Sequence, residues 1–487
     1  MIMRAEDRKQ FLILVKVLGL LLMIEAGFMF LCLIPAAVYK QGDFLPLLFS
    51  GLITCSVGAI GRFSCRNIKA DIDRRLGMLI VASVWIVMSA FGTLPYLLSG
   101  SVSDFTTAVF ETVSGFTTTG ASNLQDVESV PKGVLFWRSL THWIGGVGIV
   151  VIVISFIPFV GGGAMALFSA EATGPDKVRI SPKIGETGKI ICSIYFALTA
   201  ICCLVYWLCG MDFYDAVNHA FSTLASGGFS TKNASAAAFS PLLQYMMILF
   251  MIPAGVNFIL IYHCLKGKFS YLRKSEEFWV YIFGILIASL LIFVFIFPQS
   301  QDVESALRHA LFQTVSIFTS SGFVTSDYTL WHSSAILVLI FLMFSGAMSG
   351  STTGGLKLVR VILLSKNAVR IIKQGVHSNA YFPIKLDGKV TKDGVMDNVM
   401  VIFLLCIIML LLCIAGLIFT GLELEEALGA AVSCTFNMGP GLGRNGGFGS
   451  YAYMPDSAKW ILSTVMYLGR LEIATVVALF MPSFWRK

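Results

Sequence analysis

Long runs of apolar residues, each about as long as a bilayer crossing, set the first constraint on this chain. Phe11–Val38 carries almost no charge. The same holds for Leu76–Leu98, Leu135–Val160, Ile190–Cys209, Leu242–Cys264, Phe278–Phe297, Val399–Gly421 and Trp460–Met481. A hydrocarbon core of about 30 Å is crossed by roughly 20 apolar residues in helical form. Of the 487 residues 56% are hydrophobic and only 13% charged, too little polar surface for a water-soluble fold. The chain therefore reads as an all-α integral membrane protein with no room for a soluble catalytic domain. Phe11–Val38 is too long for a signal-peptide core and lacks a small-residue cleavage pattern, so it is taken as a spanning helix. Leu45–Ile60, shorter and richer in Gly and Ser, supplies a second helix before the first basic loop.

The formal charge of +7 is distributed by side rather than gathered into a nucleic-acid patch. Basic residues cluster at Arg62, Arg66, Lys69, Arg74 and Arg75; at Lys177, Arg179, Lys183 and Lys189; at Lys266, Lys268, Arg273 and Lys274; and at Lys366, Arg370, Lys373, Lys385, Lys389 and Lys392. The alternating segments are acidic: Asp104, Glu111, Asp126 and Glu128; Asp212 and Asp215; Asp302, Glu304 and Asp327; Glu423, Glu425 and Glu426. Basic loops stay cytoplasmic. With Arg4, Arg8 and Lys9 in the N-terminal tail, both termini are predicted inside and the acidic segments outside. The cysteines show no CxxC pair, and the six histidines show no paired ligand spacing, so neither points to a metal site. Gly145, Gly146 and Gly148 read as a close helix contact.

The acidic outer segments share one design. Each opens with acid, runs through a short apolar stretch and ends in Ser, Thr and Gly: the segments beginning at Asp104, Asp212, Glu304 and Glu425. Aligned on these strings, one glycine recurs as Gly115, Gly228, Gly322 and Gly439. The stretches before the glycines are too short to cross a bilayer and read as re-entrant helices. Non-helical backbone at membrane depth is stable only inside protein or along a watery cavity, and four such turns about one axis make that cavity. Backbone carbonyls from four loops can replace the hydration shell of K⁺. Glycine reaches the required φ/ψ at low cost. Helix C-termini aimed at the centre favour a cation there, and the acids at the outer N-termini cap the helices and attract cations. No Lys or Arg lies within three residues of any of the four glycines, which disfavours an anion pathway.

SGFTTTGAS, ASGGFSTKN, SSGFVTSDY and FNMGPGLG resemble the four selectivity-filter segments of the Trk/Ktr/HKT superfamily of potassium transport subunits. GAMSGSTTGGLKLVR (Gly346–Arg360) and YLGRLEI (Tyr467–Ile473) look like its TrkH/TrkG branch, as do the two extra N-terminal helices. The resemblance covers essentially the whole chain. It implies about ten transmembrane helices: four pseudo-symmetric helix–pore loop–helix repeats plus two. Expected boundaries are 1–70 for the N-terminal extension, then 71–182, 183–272, 273–380 and 381–487 for the repeats. The resemblance carries the filter onto Ser114, Gly115, Phe116, Thr117 and Thr118; Gly227, Gly228 and Phe229; Ser321, Gly322 and Phe323; and Met438, Gly439 and Pro440. In sodium-favouring plant members the first filter glycine is Ser, so Gly115 implies potassium selectivity. Pro440 stands where the other aligned loops carry Phe.

Between Ser334 and Lys373 a spanning helix is expected, but Gly346, Gly350, Gly354 and Gly355, with Ser349, Ser351, Thr352 and Thr353, interrupt it. This reads as an intramembrane loop, to which the resemblance gives a gating role that includes Lys357. A phosphate-binding reading of Gly350–Gly355 fails, because Leu356 stands where that motif needs Lys and no strand precedes it. Arg470 sits deep in the last apolar block beside Glu472, where an ionisable group faces a cavity or a partner. The resemblance turns it toward carbonyls of the gating loop. It also implies potassium as the transported ion with no organic cofactor, membrane lipid around the chain, a homodimer, and a cytosolic TrkA-like ring that binds NAD(H) and ATP or ADP. The expected location is the bacterial inner membrane. A secondary transporter of another cation or small solute is the alternative. A membrane-embedded enzyme lacks the clustered acids, His or Cys it would need.

Overall fold

The computed structural model describes residues 5–68, 72–102, 104–148, 184–300, 302–391, 393–471 and 473–485. Arg4, Lys69, Lys177, Arg179, Lys183, Lys392 and Glu472 lie outside them, as does the end of the Leu135–Val160 block from residue 149 onward.

The described residues are mostly helical. Its main helices are α1 (Ala5–Leu31), α2 (Phe44–Ser64), α3 (Arg74–Gly92), α4 (Phe105–Phe116), α5 (Lys132–Val147), α6 (Ile184–Leu208), α7 (Phe213–Ala225), α8 (Pro241–Ala254), α9 (Phe258–Leu265), α10 (Glu276–Ile296), α11 (Val303–Phe318), α12 (Ser333–Ser345), α13 (Leu358–Val376), α14 (Asp393–Phe419), α15 (Leu424–Thr435), α16 (Asp456–Arg470) and α17 (Ile473–Phe480). Among the described residues six helices are long and apolar enough to span a membrane, or up to eight if each bent pair counts as one. One unit recurs four times: a long helix, a short helix, an irregular turn and a second helix. The short members α4, α7, α11 and α15 have 12 to 16 residues, too few to cross.

Two apolar blocks that look continuous in sequence are broken. Leu242–Cys264 splits into α8 and α9, bent by 100° at a break of Gly255, Val256 and Asn257. Pro253 lies in the last turn of the first helix, where it removes a donor, and the Asn257 side chain caps the second by accepting from the Ile259 amide at 2.8 Å. Trp460–Met481 splits after Arg470 into α16 and α17. The expected break near Gly346 is present: α12 ends at Ser345 and α13 starts at Leu358.

β1 (Lys385–Leu386) and β2 (Lys389–Val390) form a small antiparallel hairpin, pairing Lys385 with Val390 and Leu386 with Lys389. Its turn residues Asp387 and Gly388 have φ of 49° and 78°, the left-handed pair of a tight hairpin turn.

The N-terminal pair α1 and α2 packs backbone to backbone. A Cβ on Gly19 would lie 2.6 Å from the Gly58 carbonyl oxygen, and one on Gly58 2.8 Å from that of Gly19. In lipid, where apolar burial offers little drive to associate, such small-residue contacts hold helices together. Gly58→Val should therefore lower the thermal unfolding temperature of the detergent-purified protein, at an overpacking cost of about 1–3 kcal/mol. Gly27→Ala, whose Cβ meets nothing within 4 Å, should leave it unchanged or slightly higher.

Candidate functional site: a ring of four turns above a broken helix

Each short helix ends in the same backbone turn. Thr118, Ser226, Ser320 and Asn437 take φ of 53°, 57°, 50° and 55°, and two residues later Gly120, Gly228, Gly322 and Gly439 take 81°, 81°, 74° and 91°. The amide between them reaches back five residues every time: Thr119 to Ser114 (2.9 Å), Gly227 to Ser222 (2.9 Å), Ser321 to Ser316 (2.8 Å) and Met438 to Ser433 (2.9 Å). These bonds satisfy carbonyls that the helix end would otherwise orphan.

The four turns close on one another. A Cβ on Gly120 would lie 1.9 Å from the Gly227 carbonyl oxygen. One on Gly228 would lie 2.2 Å from that of Ser321, one on Gly322 2.5 Å from that of Met438, and one on Gly439 2.6 Å from that of Thr119. Each glycine thus abuts the carbonyl preceding the next loop's glycine, and the series returns to its start. All four glycines line one cavity of about 110 Å³, with Arg138, Lys232 and Tyr451 in its wall. Glycine is required here twice, by its positive φ and by the absence of space for a side chain.

The geometry corrects the first loop. Ser114, Gly115 and Phe116 belong to α4, and Gly115 is a packing glycine whose Cβ would meet Thr141 Oγ1 at 2.2 Å. The member of the ring is Gly120. The Gly-Phe pair that aligns Gly115 with Gly228 and Gly322 falls more than a helical turn earlier here, relative to the turn, than in loops two and three. Thr117 ends the helix and Thr118 opens the turn. Phe229 and Phe323 directly follow their glycines, whereas the residues at that place in the first and fourth loops are Ala121 and Pro440. Pro440 packs beside the third loop, its Cδ 3.2 Å from a Cβ placed on Gly322.

The acids at the helix starts also differ in detail. Asp104 caps α4 by accepting from the Thr107 amide, which holds its carboxyl below the usual range. Asp212 and Asp302 cap α7 and α11. Glu304 lies inside the first turn of α11 and pairs with Arg308, while Glu423, not Glu425, precedes α15. Glu111 does not face outward: it is 0% exposed, paired at 2.6 Å with Arg138, itself 3% exposed. Its carboxylate also accepts from Ser122 Oγ (2.9 Å) and the Asn123 amide (2.9 Å). Arg138 donates to the Ser230 carbonyl (3.0 Å) and lies 3.5 Å from the Phe229 ring centre. This pair ties the first turn to the second. The sequence offered one signal for it, an Arg inside an apolar block. Between the fourth and first turns, Asn437 Nδ2 donates to Thr119 Oγ1 (2.8 Å) and the Met466 carbonyl (3.0 Å).

The break between α12 and α13 lies directly beneath the ring. Thr352 Oγ1 donates to the carbonyls of Leu224 (3.0 Å) and Ala254 (3.2 Å) and sits 2.9 Å from Ser226 Oγ. The Gly354 amide donates to Ser320 Oγ at 2.7 Å, and a Cβ on Gly354 would lie 2.4 Å from the Phe436 carbonyl oxygen. The segment is therefore held by the left-handed residues of the second and third turns and the end of the fourth short helix. Gly346 and Gly355 face each other across its base, Gly350 lies against Asn257, and Ser351 Oγ meets Thr353 Oγ1 at 2.8 Å. Lys357, at φ 70°, donates to the Thr353 carbonyl. Arg470 donates through Nη1 to the Thr352 carbonyl (2.9 Å) and through Nη2 to that of Gly145 (2.8 Å).

The TrkH cation transport protein family matches residues 47–487. The Trk system potassium uptake protein TrkH of Vibrio parahaemolyticus is 35% identical over 486 residues, covering 98% of this chain and 100% of that protein. TrkG of Escherichia coli strain K12 is 31% identical over 462 residues, covering 93% of this chain and 94% of that one. The crystal structure of the potassium transporter TrkH from Vibrio parahaemolyticus matches with a TM-score of 0.88 at 34% identity, covering 98% of this chain and 100% of that one.

Breaking a buried ion pair leaves an uncompensated charge. Arg138→Ala should therefore cost about 3–5 kcal/mol of stability, while the neutral double variant Glu111→Gln/Arg138→Gln should recover part of it. Thermal unfolding of the purified variants measures both.

Proposed function

Because this chain belongs to the TrkH cation transport protein family, a family of membrane transporters and not of enzymes, we propose that it takes up potassium into a bacterial cell across the inner membrane. The observation that carries this reading is the closed ring of glycine–carbonyl contacts around the cavity. Carbonyls from four loops can exchange for the hydration shell of a potassium ion. The short helices direct their C-termini toward the ring, and the partial negative charge there stabilises a cation. The residue proposed for the first filter position is now Gly120. It is glycine rather than serine, so the implied preference for potassium over sodium stands.

The Gly346–Lys357 segment is the gate in this reading. Its support is the set of bonds that hold Thr352 and Gly354 against the turns. Arg470 adds a fixed positive charge and a strap to Thr352. A cytosolic TrkA-like ring carrying NAD(H) and ATP or ADP would act on this gate, on a homodimer of this chain with both termini cytoplasmic. The basic loops on one side of the helices support that placement.

Three outcomes follow. Gly120→Ala should lower ⁸⁶Rb⁺ uptake into proteoliposomes and its preference over ²²Na⁺ by roughly tenfold, equivalent to about 1.4 kcal/mol. Gly115→Ala should reduce yield and stability while the protein that folds keeps its ion preference. Arg470→Ala should raise flux without loss of potassium preference, which rubidium flux with sodium competition measures. A roomy solute transporter predicts instead that cation preference is indifferent to Gly120.

A further inference from the structure

The break beneath the ring needs something to hold its two ends. Helix α13 starts at Leu358 with Lys357 as its cap residue, and Lys357 offers no side-chain acceptor. The first amides of a helix still require partners. Leu358 finds the Ala347 carbonyl at 3.0 Å, but the Val359 amide turns to a different helix. It donates to Glu277 Oε1 at 3.1 Å. The same oxygen accepts from the Ser349 amide at 2.7 Å, and Oε2 accepts from Ser349 Oγ at 3.0 Å. One buried carboxylate, 7% exposed, therefore fastens residue 349 in the first part of the irregular segment and residue 359 just beyond its end.

Glu277 lies in the first turn of α10, and its neighbour is anchored from the hairpin side. The Glu276 amide donates to Asp387 Oδ1 at 2.8 Å in the β1–β2 turn. Lys366 of α13 bonds both the Glu276 carboxylate and, at 2.7 Å, the Lys385 carbonyl. The basic hairpin, the start of α10 and α13 thus meet one residue from the carboxylate that closes the break.

We infer that Glu277 is the latch of the segment, a positioning residue that fixes both ends of Gly346–Lys357 and so keeps its tip, Thr352 to Gly354, against the turns. This rests on the proposed gating role of that segment. A carboxylate suits the task because it accepts three bonds at once, and hydrogen bonds to a charged acceptor are about twice as strong as neutral ones. Releasing it removes the one side-chain group that bonds both residue 349 and residue 359, and leaves the backbone bonds of Ala347, Met348 and Gly350, the tip contacts and Arg470 to restrain the loop.

The test compares the wild type with Glu277→Ala, Glu277→Gln and Ser349→Ala in two measurements. Hydrogen exchange by mass spectrometry over residues 346–360 reads the latch without reference to transport. Glu277→Ala should speed exchange there by roughly 10- to 100-fold, the range set by loss of a hydrogen bond to a charged group. Glu277→Gln, which keeps the Oε1 acceptor, should restore most of the protection, and Ser349→Ala should show a smaller change in the same direction. Rubidium flux into proteoliposomes lacking any other protein reads the consequence: higher for Glu277→Ala, near wild type for Glu277→Gln. Unchanged exchange overturns the latch, and faster exchange with wild-type flux overturns its part in gating. If Glu277→Ala does not fold, the Ser349→Ala results decide by the same criteria. A wild type with no rubidium flux would count against the proposed function, and the exchange measurement would still decide the latch.

Discussion

Everything in this molecule is organised around the contact between a glycine and the carbonyl that precedes the next loop's glycine. The contact is made four times and closes on itself. No loop can move inward, because a backbone oxygen already fills the place of a side chain, and none can move out without opening two contacts. The short helices satisfy the turns by the same five-residue hydrogen bond in every repeat. Side chains reinforce the ring unevenly: a buried ion pair joins the first and second turns, and an amide joins the fourth and first. Such contacts fix four main-chain segments at membrane depth, where unsatisfied backbone would be costly.

A second constraint lies beneath the ring. The helices that follow the turns do not all continue as straight rods. α8 bends into α9, α12 gives way to an irregular segment, and α16 ends at Arg470. The breaks supply the polar groups that meet below the turns, with Thr352 as the shared point: it touches Ser226, Leu224 and Ala254 through its hydroxyl and Arg470 through its carbonyl. Loosening the base of the irregular segment would act at once on the second, third and fourth repeats.

Much of this was legible in the sequence, because its physics is local. Apolar length marks the membrane segments, and the glycine-rich run at Gly346–Gly355 cannot hold a helix. The first ring glycine was not legible in the same way. Gly115 and Gly120 stand in the same loop, and only the backbone decides which is helical and which left-handed. The break at Gly255–Asn257 was hidden by its apolar neighbours, although Pro253 and Asn257 were its signals. Glu111 and Glu277 were missed for another reason. A buried carboxylate is identified by what reaches it, and its partners here are remote in sequence: Arg138, Ser349 and Val359.

The proposed potassium pathway requires a cation to sit among the carbonyls of Thr119, Gly227, Ser321 and Met438. Anomalous diffraction from crystals grown in Tl⁺ or Rb⁺ tests it most directly. The predicted result is a peak on the axis of the ring, bounded by those oxygens and lost when Na⁺ replaces the heavier ion. A peak confined to the outer vestibule, or none at the ring while the ion is bound elsewhere in the protein, would contradict it.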